Sequence, residues 1–351
     1  MPTALATDVL APLRAQFDGS TGYLAACTAG LPTSGTRTAV TADLAGAPDV
    51  TAYSAAVEAS RADFARLVGV GVDRVAIGAQ TSVQVAVLAA ALPDGAEVVV
   101  PEDEFSSLVL PFVHAGRGIR VRTTPLSGLA AAISADTAVV AFSLVQSASG
   151  EVADLNAICA AAARVGARTV CDATQAVGWM PVDATRVDAL LCHAYKWLCC
   201  PRGVAFLVLA EDYATTLRPV QAGWYAGDDP WDACYGGDAE LASCARRFDV
   251  SPAWQAFVGA APALRAFADT DMAAVQAHTT GLAAAFRARL GLAEPALPSA
   301  IVTWPDATGC DLARLTAAGI TASGRNGRAR VAFHVFNDGV DVDLAARALG
   351  R

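Results

Sequence analysis

The chain has 351 residues, 54% hydrophobic and 17% charged, and its 25 basic against 34 acidic side chains give a net charge of −9. That length exceeds one usual core, so a large domain with a smaller companion is expected. The acidic balance argues against nucleic acid or anionic membrane as partners, and the longest uncharged run, 75–93, is broken by Gly78, Gln80, Thr81 and Ser82 and is too short to span a bilayer.

The first twenty residues lack the basic start, apolar core and cleavage site of a secretory leader. Nine cysteines, an odd number, form no C-x-x-C pair and no zinc pattern, which implies free thiols, no metal and a reducing cytoplasm. Across 53–68, Val57, Arg61, Phe64, Leu67 and Val68 recur at spacings of three and four and predict an amphipathic helix. A strand at 75–77 then enters Gly78-Ala79-Gln80-Thr81-Ser82 and a helix through Leu92. A glycine turn opening a helix aims backbone N–H groups and a positive dipole end at an anion, and a Ser or Thr there serves equally as a cap. Strands at 97–100, 120–123 and 137–142 follow, with a helical stretch at 126–133 and a further helix marked by Leu155, Ile158, Cys159 and Ala162. This alternation predicts a mostly parallel sheet covered on both faces.

Residues 221–240, QAGWYAGDDPWDACYGGDAE, form an aromatic, Gly- and Asp-rich loop of the kind that lines a substrate entrance. Trp224 and Tyr225 serve either there or as anchors between two copies of the chain. Two long helical patterns, to 267 and over 271–290, lead to a small domain read as strand 300–304, helix 311–318, strand 330–333 and terminal helix 341–349. The expected division is an N-terminal segment 1–40, a large domain 41–265 and a small domain 266–351.

The densest chemistry lies in 170–203, VCDATQAVGWMPVDATRVDALLCHAYKWLCCPRG. An apolar run over 169–171 stops at Asp172, and a second over 187–192 runs into His193, Ala194, Tyr195 and Lys196. Two strands thus deliver a carboxylate and an amine to the sheet edge where open α/β sheets bind ligands. A lysine at the end of a buried strand has a use as a Schiff-base former with an aldehyde cofactor. Pyridoxal 5′-phosphate fits, because its ring also calls for a carboxylate opposite the ring nitrogen. Raising that nitrogen's pKa by roughly two units takes about 2.7 kcal/mol. A partly buried charge-assisted hydrogen bond supplies that, whereas a neutral one contributes about 1 kcal/mol. Taken singly, Asp172 is equally a helix N-cap.

The order apolar run, D-A-T-Q-A-V-G-W, P-V-D, second apolar run, Y-K-W-L, P-R-G-V-A-F resembles the class V aminotransferase family of fold-type I pyridoxal-phosphate enzymes, which also holds cysteine desulfurases, kynureninases and isopenicillin N epimerase-like proteins. The resemblance implies an α/β fold: a mostly parallel mixed sheet sandwiched by helices, with 203–209 antiparallel near its end, and a smaller α+β C-terminal domain. It implies Lys196 as the lysine that holds the cofactor and acts as base, Asp172 on the ring nitrogen and Gln175 on the phenolic oxygen. Phe105 would stack on the ring, the alternative being core packing with Leu108 and Phe112.

The stretch 78–82 corresponds to the family's phosphate loop, with Ala79, Gln80 and Thr81 as candidates; Gln80 replaces the usual Thr, so Thr81 or Ser82 provides the hydroxyl. Tyr195 stands where the family has a phosphate-contacting His or Tyr, and His193 either shares that role or is a satisfied core histidine. Gln146 and Ser147, in SLVQSASGEVADL, are candidates on a cofactor-side loop. YLAACTAGLP at 23–32 resembles the family's Y-L-D-N-A-A-T-G-L-P on the substrate side; Ala25 and Ala26 replace its Asp and Asn, leaving Thr28 for a substrate contact or for loop packing. R-F-D-V-S-P at 247–252 resembles R-F-E-x-G-T-P, which places Ser251 at the phosphate of the neighbouring subunit's cofactor and implies a homodimer with shared active sites. GRARVAFHVFNDGVDVD resembles R-x-S-x-H-x-Y-N-T-x-x-D-V-D, which makes Arg330 the clamp on the substrate α-carboxylate, with Arg325 and Arg328 as alternates. A fork of donors is what a carboxylate requires.

The fate of the substrate after loss of its Cα proton sets the reaction: transamination, β-elimination or epimerisation. The stretch 323–327, S-G-R-N-G, carries no thiol where persulfide-forming desulfurases have one. An aminotransferase acting on a small amino acid is therefore expected, ahead of a β-eliminating or C–S lyase, with kynureninase-like hydrolysis or epimerisation further back. A non-catalytic binding protein on the same scaffold is disfavoured because the lysine, acid, glutamine and arginine positions are all filled.

Overall fold

The computed structural model describes residues 8–351, so the start of the expected N-terminal segment lies outside the described residues. Seven strands, β1 (Val75–Gly78), β2 (Glu97–Pro101), β3 (Arg120–Thr124), β4 (Thr137–Ser143), β5 (Arg168–Asp172), β6 (Ala189–His193) and β7 (Ala205–Leu209), form one sheet in the order β1-β7-β6-β5-β4-β2-β3. The pairs from β3 to β6 are parallel, while β7 runs antiparallel to both β1 and β6. β1, β6 and β7 are buried along their whole length, as apolar runs without alternation require.

The helix Val50–Val68 covers one face. Asp49 caps it, its carboxylate accepting from Thr51 N and Ala52 N, and Gly69 ends it at φ 72°. Its buried Phe64 stacks at 4.1 Å on Phe206 of β7. Arg61 on the same helix forks onto Asp249 at 2.7 and 3.1 Å, and Asp249 Oδ1 also accepts from Ile77 N at 2.7 Å. The R-F-D-V-S-P stretch is thereby pinned against β1, next to the turn that opens the helix Thr81–Ala90.

A second sheet has the antiparallel order β8-β10-β9, from β8 (Ile301–Pro305), β9 (Ser323–Arg325) and β10 (Arg328–Ala332). The N-terminal loop joins it through parallel bridges of Tyr23 with Thr321 and Ala25 with Ala332. The expected boundary at 265 falls inside the helix Trp254–Ala268, which packs on the helices Ser34–Ala45 and Val50–Val68. Among the described residues, no helix is long and apolar enough to cross a membrane, and all nine cysteines are free.

Three local features depart from the sequence reading. The stretch 126–133 splits into a 3-10 turn, Leu126–Gly128, and one α-helical turn, Leu129–Ala132, because Gly128 interrupts a segment too short to sustain a helix. β9 is three residues of S-G-R and carries no apolar signal. The helix Ser34–Ala45, rich in Thr, is held by packing: a Cβ on Gly259 would lie 2.7 Å from Val40 Cγ2, so only glycine admits the close approach.

Candidate active site

Lys196 is the only lysine among the 25 basic residues, and it is 5% exposed. Arginine, which stays charged at any physiological pH, fills every other such position, and the one basic side chain able to lose its proton sits where a charge costs most. Lys196 lies in a turn three residues beyond the end of β6. That turn is braced from three sides. Gly30 N donates to Tyr195 O at 2.9 Å, and no Cβ on Gly30 fits against the Lys196 carbonyl oxygen. Trp197 Nε1 donates to Gln175 Oε1 at 2.8 Å. His334 stacks on Trp197 at 5.6 Å and places Nε2 2.9 Å from its carbonyl oxygen.

Asp172 ends β5 and is 3% exposed; its Oδ1 accepts from Thr174 N at 2.8 Å. Burial pushes its carboxyl up, opposed by the Thr174 hydrogen bonds and the Lys196 charge. Burial likewise pushes the Lys196 amine down to about 8; Asp172 pulls it back, and Arg330 and Arg325 add to the fall. Both groups line one cavity.

Phe105 lines that cavity with its ring centroid 5.3 Å from Lys196 Nζ. It is 42% exposed while Leu108 and Phe112 are buried, so its ring faces the cavity rather than the core. Gln80 and Thr81 also line it, at the N-terminus of Thr81–Ala90, and the Gln80 side chain makes no cap bond. The first-turn N–H groups are therefore left for an anion. Ala79 and Ser82 do not line the cavity, so the hydroxyl there is that of Thr81. His193 also lines it, and its buried Nε2 has no partner, unlike a satisfied core histidine. Burial, with Arg202 and Lys196, pushes the His193 imidazole down to about 4, so it is neutral at pH 7. Tyr195 sets its ring edge-on to His193 at 4.4 Å.

Arg330 is fully buried on β10. Nε donates to Ser323 Oγ at 3.1 Å, Nη2 to Thr28 Oγ1 at 2.9 Å, and Nη1 to Ser147 O and, at 3.3 Å, to Ser147 Oγ. Thr28 is thus set against Arg330, whereas Arg328 donates to Thr303 and Arg325 is exposed on the hairpin. Gln175 donates both amide hydrogens, to Cys27 O at 2.9 Å and Ser147 Oγ at 3.1 Å. It struts two loops together, and reaching a phenolic oxygen requires it to release one of them.

Glu104 is a site residue that the sequence does not single out, since one acid in P-E-D-E-F has no distinguishing pattern. Its carboxylate accepts from Phe105 N at 2.7 Å, Ser143 N at 2.8 Å, Ser143 Oγ at 2.5 Å and Gln146 Nε2 at 2.8 Å, which fixes the Phe105 backbone to the end of β4. Ser251 is exposed and lies off this cavity, as do Trp224 and Tyr225. Trp224 packs on Trp231 at 5.1 Å and on Trp254 at 6.5 Å, with Tyr225 buried beside it.

An amine shifted toward neutrality, a carboxylate in the same cavity, an aromatic face, a helix N-terminus without a side-chain cap and an unpartnered imidazole nitrogen make up the donor set that pyridoxal 5′-phosphate requires, so the residues present fit it.

Comparisons with known proteins agree. The sequence profile of the aminotransferase class-V family matches residues 47–296. The uncharacterized aminotransferase YcbU of Bacillus subtilis is 29% identical over 218 residues, 59% of this chain and 57% of that protein. A probable cysteine desulfurase of Aeropyrum pernix is 36% identical over 187 residues, 48% of this chain and 45% of that one. The chain thus spans about half the length of these curated relatives. The crystal structure of the cysteine desulfurase CsdA from Escherichia coli has the same fold, with a TM-score of 0.83 at 19% identity over 97% of this chain and 98% of that one. Matched over most of its length, the chain belongs to the aminotransferase class-V family, whose cofactor is pyridoxal 5′-phosphate.

Proposed function

We propose that the protein is an aminotransferase acting at the α-amino group of a small amino acid. The observation that carries this reading is the single lysine of the sequence, buried and shifted to about 8 in one cavity with Asp172. Bound there, pyridoxal 5′-phosphate supplies the aldehyde that takes up an amine and the ring that withdraws electrons from Cα. Lys196 Nζ, close to neutrality, accepts the Cα proton and delivers it again. Arg330 orients the substrate carboxylate by exchanging its bonds to Ser147 and Thr28 for the two carboxylate oxygens. Asp172 holds a positive charge on the ring nitrogen, and the Phe105 face fixes the ring and excludes water. Thr81, His193 and Tyr195 hold the phosphate. In a homodimer, the exposed Ser251 serves the neighbouring subunit's site, and the Trp224–Tyr225 loop, which lies off its own chain's cavity, anchors the interface.

A β-eliminating or C–S lyase is the second reading, supported by the similarity to the probable cysteine desulfurase. The thiol-free hairpin at 323–327 favours transamination over persulfide chemistry. Incubating the enzyme with a panel of amino acids and assaying keto acid, ammonia and sulfide separates the two. Transamination yields keto acid beyond one equivalent per site only when an oxoacid acceptor is present; sustained ammonia or sulfide release without an acceptor overturns it in favour of the lyase.

A further inference from the structure

Two arginines, one lining the Lys196 cavity and one on the strand β9 beside Arg330, have no role in the chemistry above. Arg202 lines the cavity, and its guanidinium carbon lies 4.5 Å over the Tyr195 ring. Arg325 ends β9 two residues beyond Ser323, so both project to the same face of the strand, and Ser323 is the residue that accepts from Arg330. Burial pushes the Tyr195 phenol up while Arg202 and Arg325 pull it back, and Arg325 also depresses the Lys196 amine; both charges therefore act on the reaction centre.

Some other arginines pair with acids, as in Arg61 with Asp249, Arg168 with Asp188 and Arg289 with Asp343, and others turn inward onto backbone carbonyls, as Arg74, Arg247 and Arg287 do. Among the described residues, no carboxylate pairs with Arg202 or Arg325; Arg202 lies against Tyr195, and Arg325 Nη1 donates to the adjacent Gly324 O. Against a net charge of −9, two uncompensated guanidinium groups at one cleft make a local positive field that draws in and holds an anion. Arg330 already provides a fork for one carboxylate, so the additional forks call for a second.

We propose that Arg202 and Arg325 form a second anionic subsite, and that the amino acid taken at Lys196 carries an acidic group at the end of its side chain. This rests on the assignment of Arg330 to the α-carboxylate. The competing source of the same chemistry is the cofactor's phosphate, held by Arg202.

The test is calorimetric binding of unreactive acids to the holoenzyme: succinate, glutarate and adipate against butyrate, valerate and hexanoate. The subsite predicts that the best dicarboxylate binds roughly 10- to 100-fold more tightly than its monocarboxylate partner, the range expected of a charge-assisted pair. Arg202→Ala and Arg325→Ala each remove most of that difference, leave monocarboxylate binding within about twofold, and leave the bound cofactor's absorbance unchanged. Both positions are exposed, so neither substitution threatens the fold. Equal binding of the two series overturns the proposal, as does an Arg202→Ala protein that loses cofactor while keeping the dicarboxylate preference. Arg330→Ala separates this from the underlying assignment, because it weakens both series alike; if it leaves monocarboxylates untouched, the α-carboxylate clamp is wrong even where the dicarboxylate preference stands.

Discussion

At the scale of single residues, the site is a matter of which groups are forced away from their usual charge. The Lys196 amine is pushed to about 8 from 10.5, so it is protonated below about 8 and free above it. Uptake of pyridoxal phosphate by the apo-protein should therefore climb about tenfold per pH unit up to about 8 and level off there; a climb that continues toward 10.5 contradicts the burial of this amine. Asp172→Asn keeps the shape but not the charge. It should retain cofactor and lose roughly 100-fold in turnover, the equivalent of about two pKa units on the ring nitrogen, and turnover within twofold of the parent removes Asp172 from that role. Most of these residues were legible in the sequence, because Asp172, Gln175 and Lys196 sit in one stretch whose strands end at fixed spacings. Glu104 was not, since its importance comes from meeting Ser143 and Gln146 on a different strand end.

At the scale of elements, most strands of the large sheet are apolar runs that stop at polar residues, β3 (R-V-R-T-T) being the exception, and their order along the chain could be read directly. What periodicity cannot give is cross-element bonding. Arg61 looks like one polar position in an apolar stripe, yet it is 1% exposed and paired with Asp249 across 188 residues. Asp249→Ala removes the buried partner and leaves that guanidinium only the part-exposed Glu58 and the Val75 carbonyl, and should cost about 3 kcal/mol by urea unfolding. A loss below about 1 kcal/mol would mean the pair does not anchor β1. The helix Ser34–Ala45 and the strand β9 escaped the sequence for the same reason, since both depend on what they pack against.

At the scale of the whole molecule, the Lys196 turn is gripped by the N-terminal loop through Gly30, by the large sheet through Gln175 and by the small domain through His334. Ser251 is exposed and away from its own chain's cavity, and the proposed homodimer would bring it to the neighbouring subunit's site. Subunit mixing tests it. Lys196→Ala and Ser251→Asp proteins should each be inactive, and a mixed dimer should recover one working site, because the Lys196→Ala chain supplies an intact Ser251 to the site that keeps its lysine, while both defects fall in the other site. No recovery on mixing places Ser251 in its own subunit's site or outside any.

The central claim is that this one amine carries the cofactor, and the sequence makes that unusually direct to measure because no other lysine competes. Borohydride reduction of the holoenzyme followed by peptide mass mapping should place a pyridoxyl group on Lys196, with the yellow absorbance lost on reduction and absent from Lys196→Ala. Reduction that leaves Lys196 unmodified, or a Lys196→Ala protein that keeps full colour and turnover, contradicts the account.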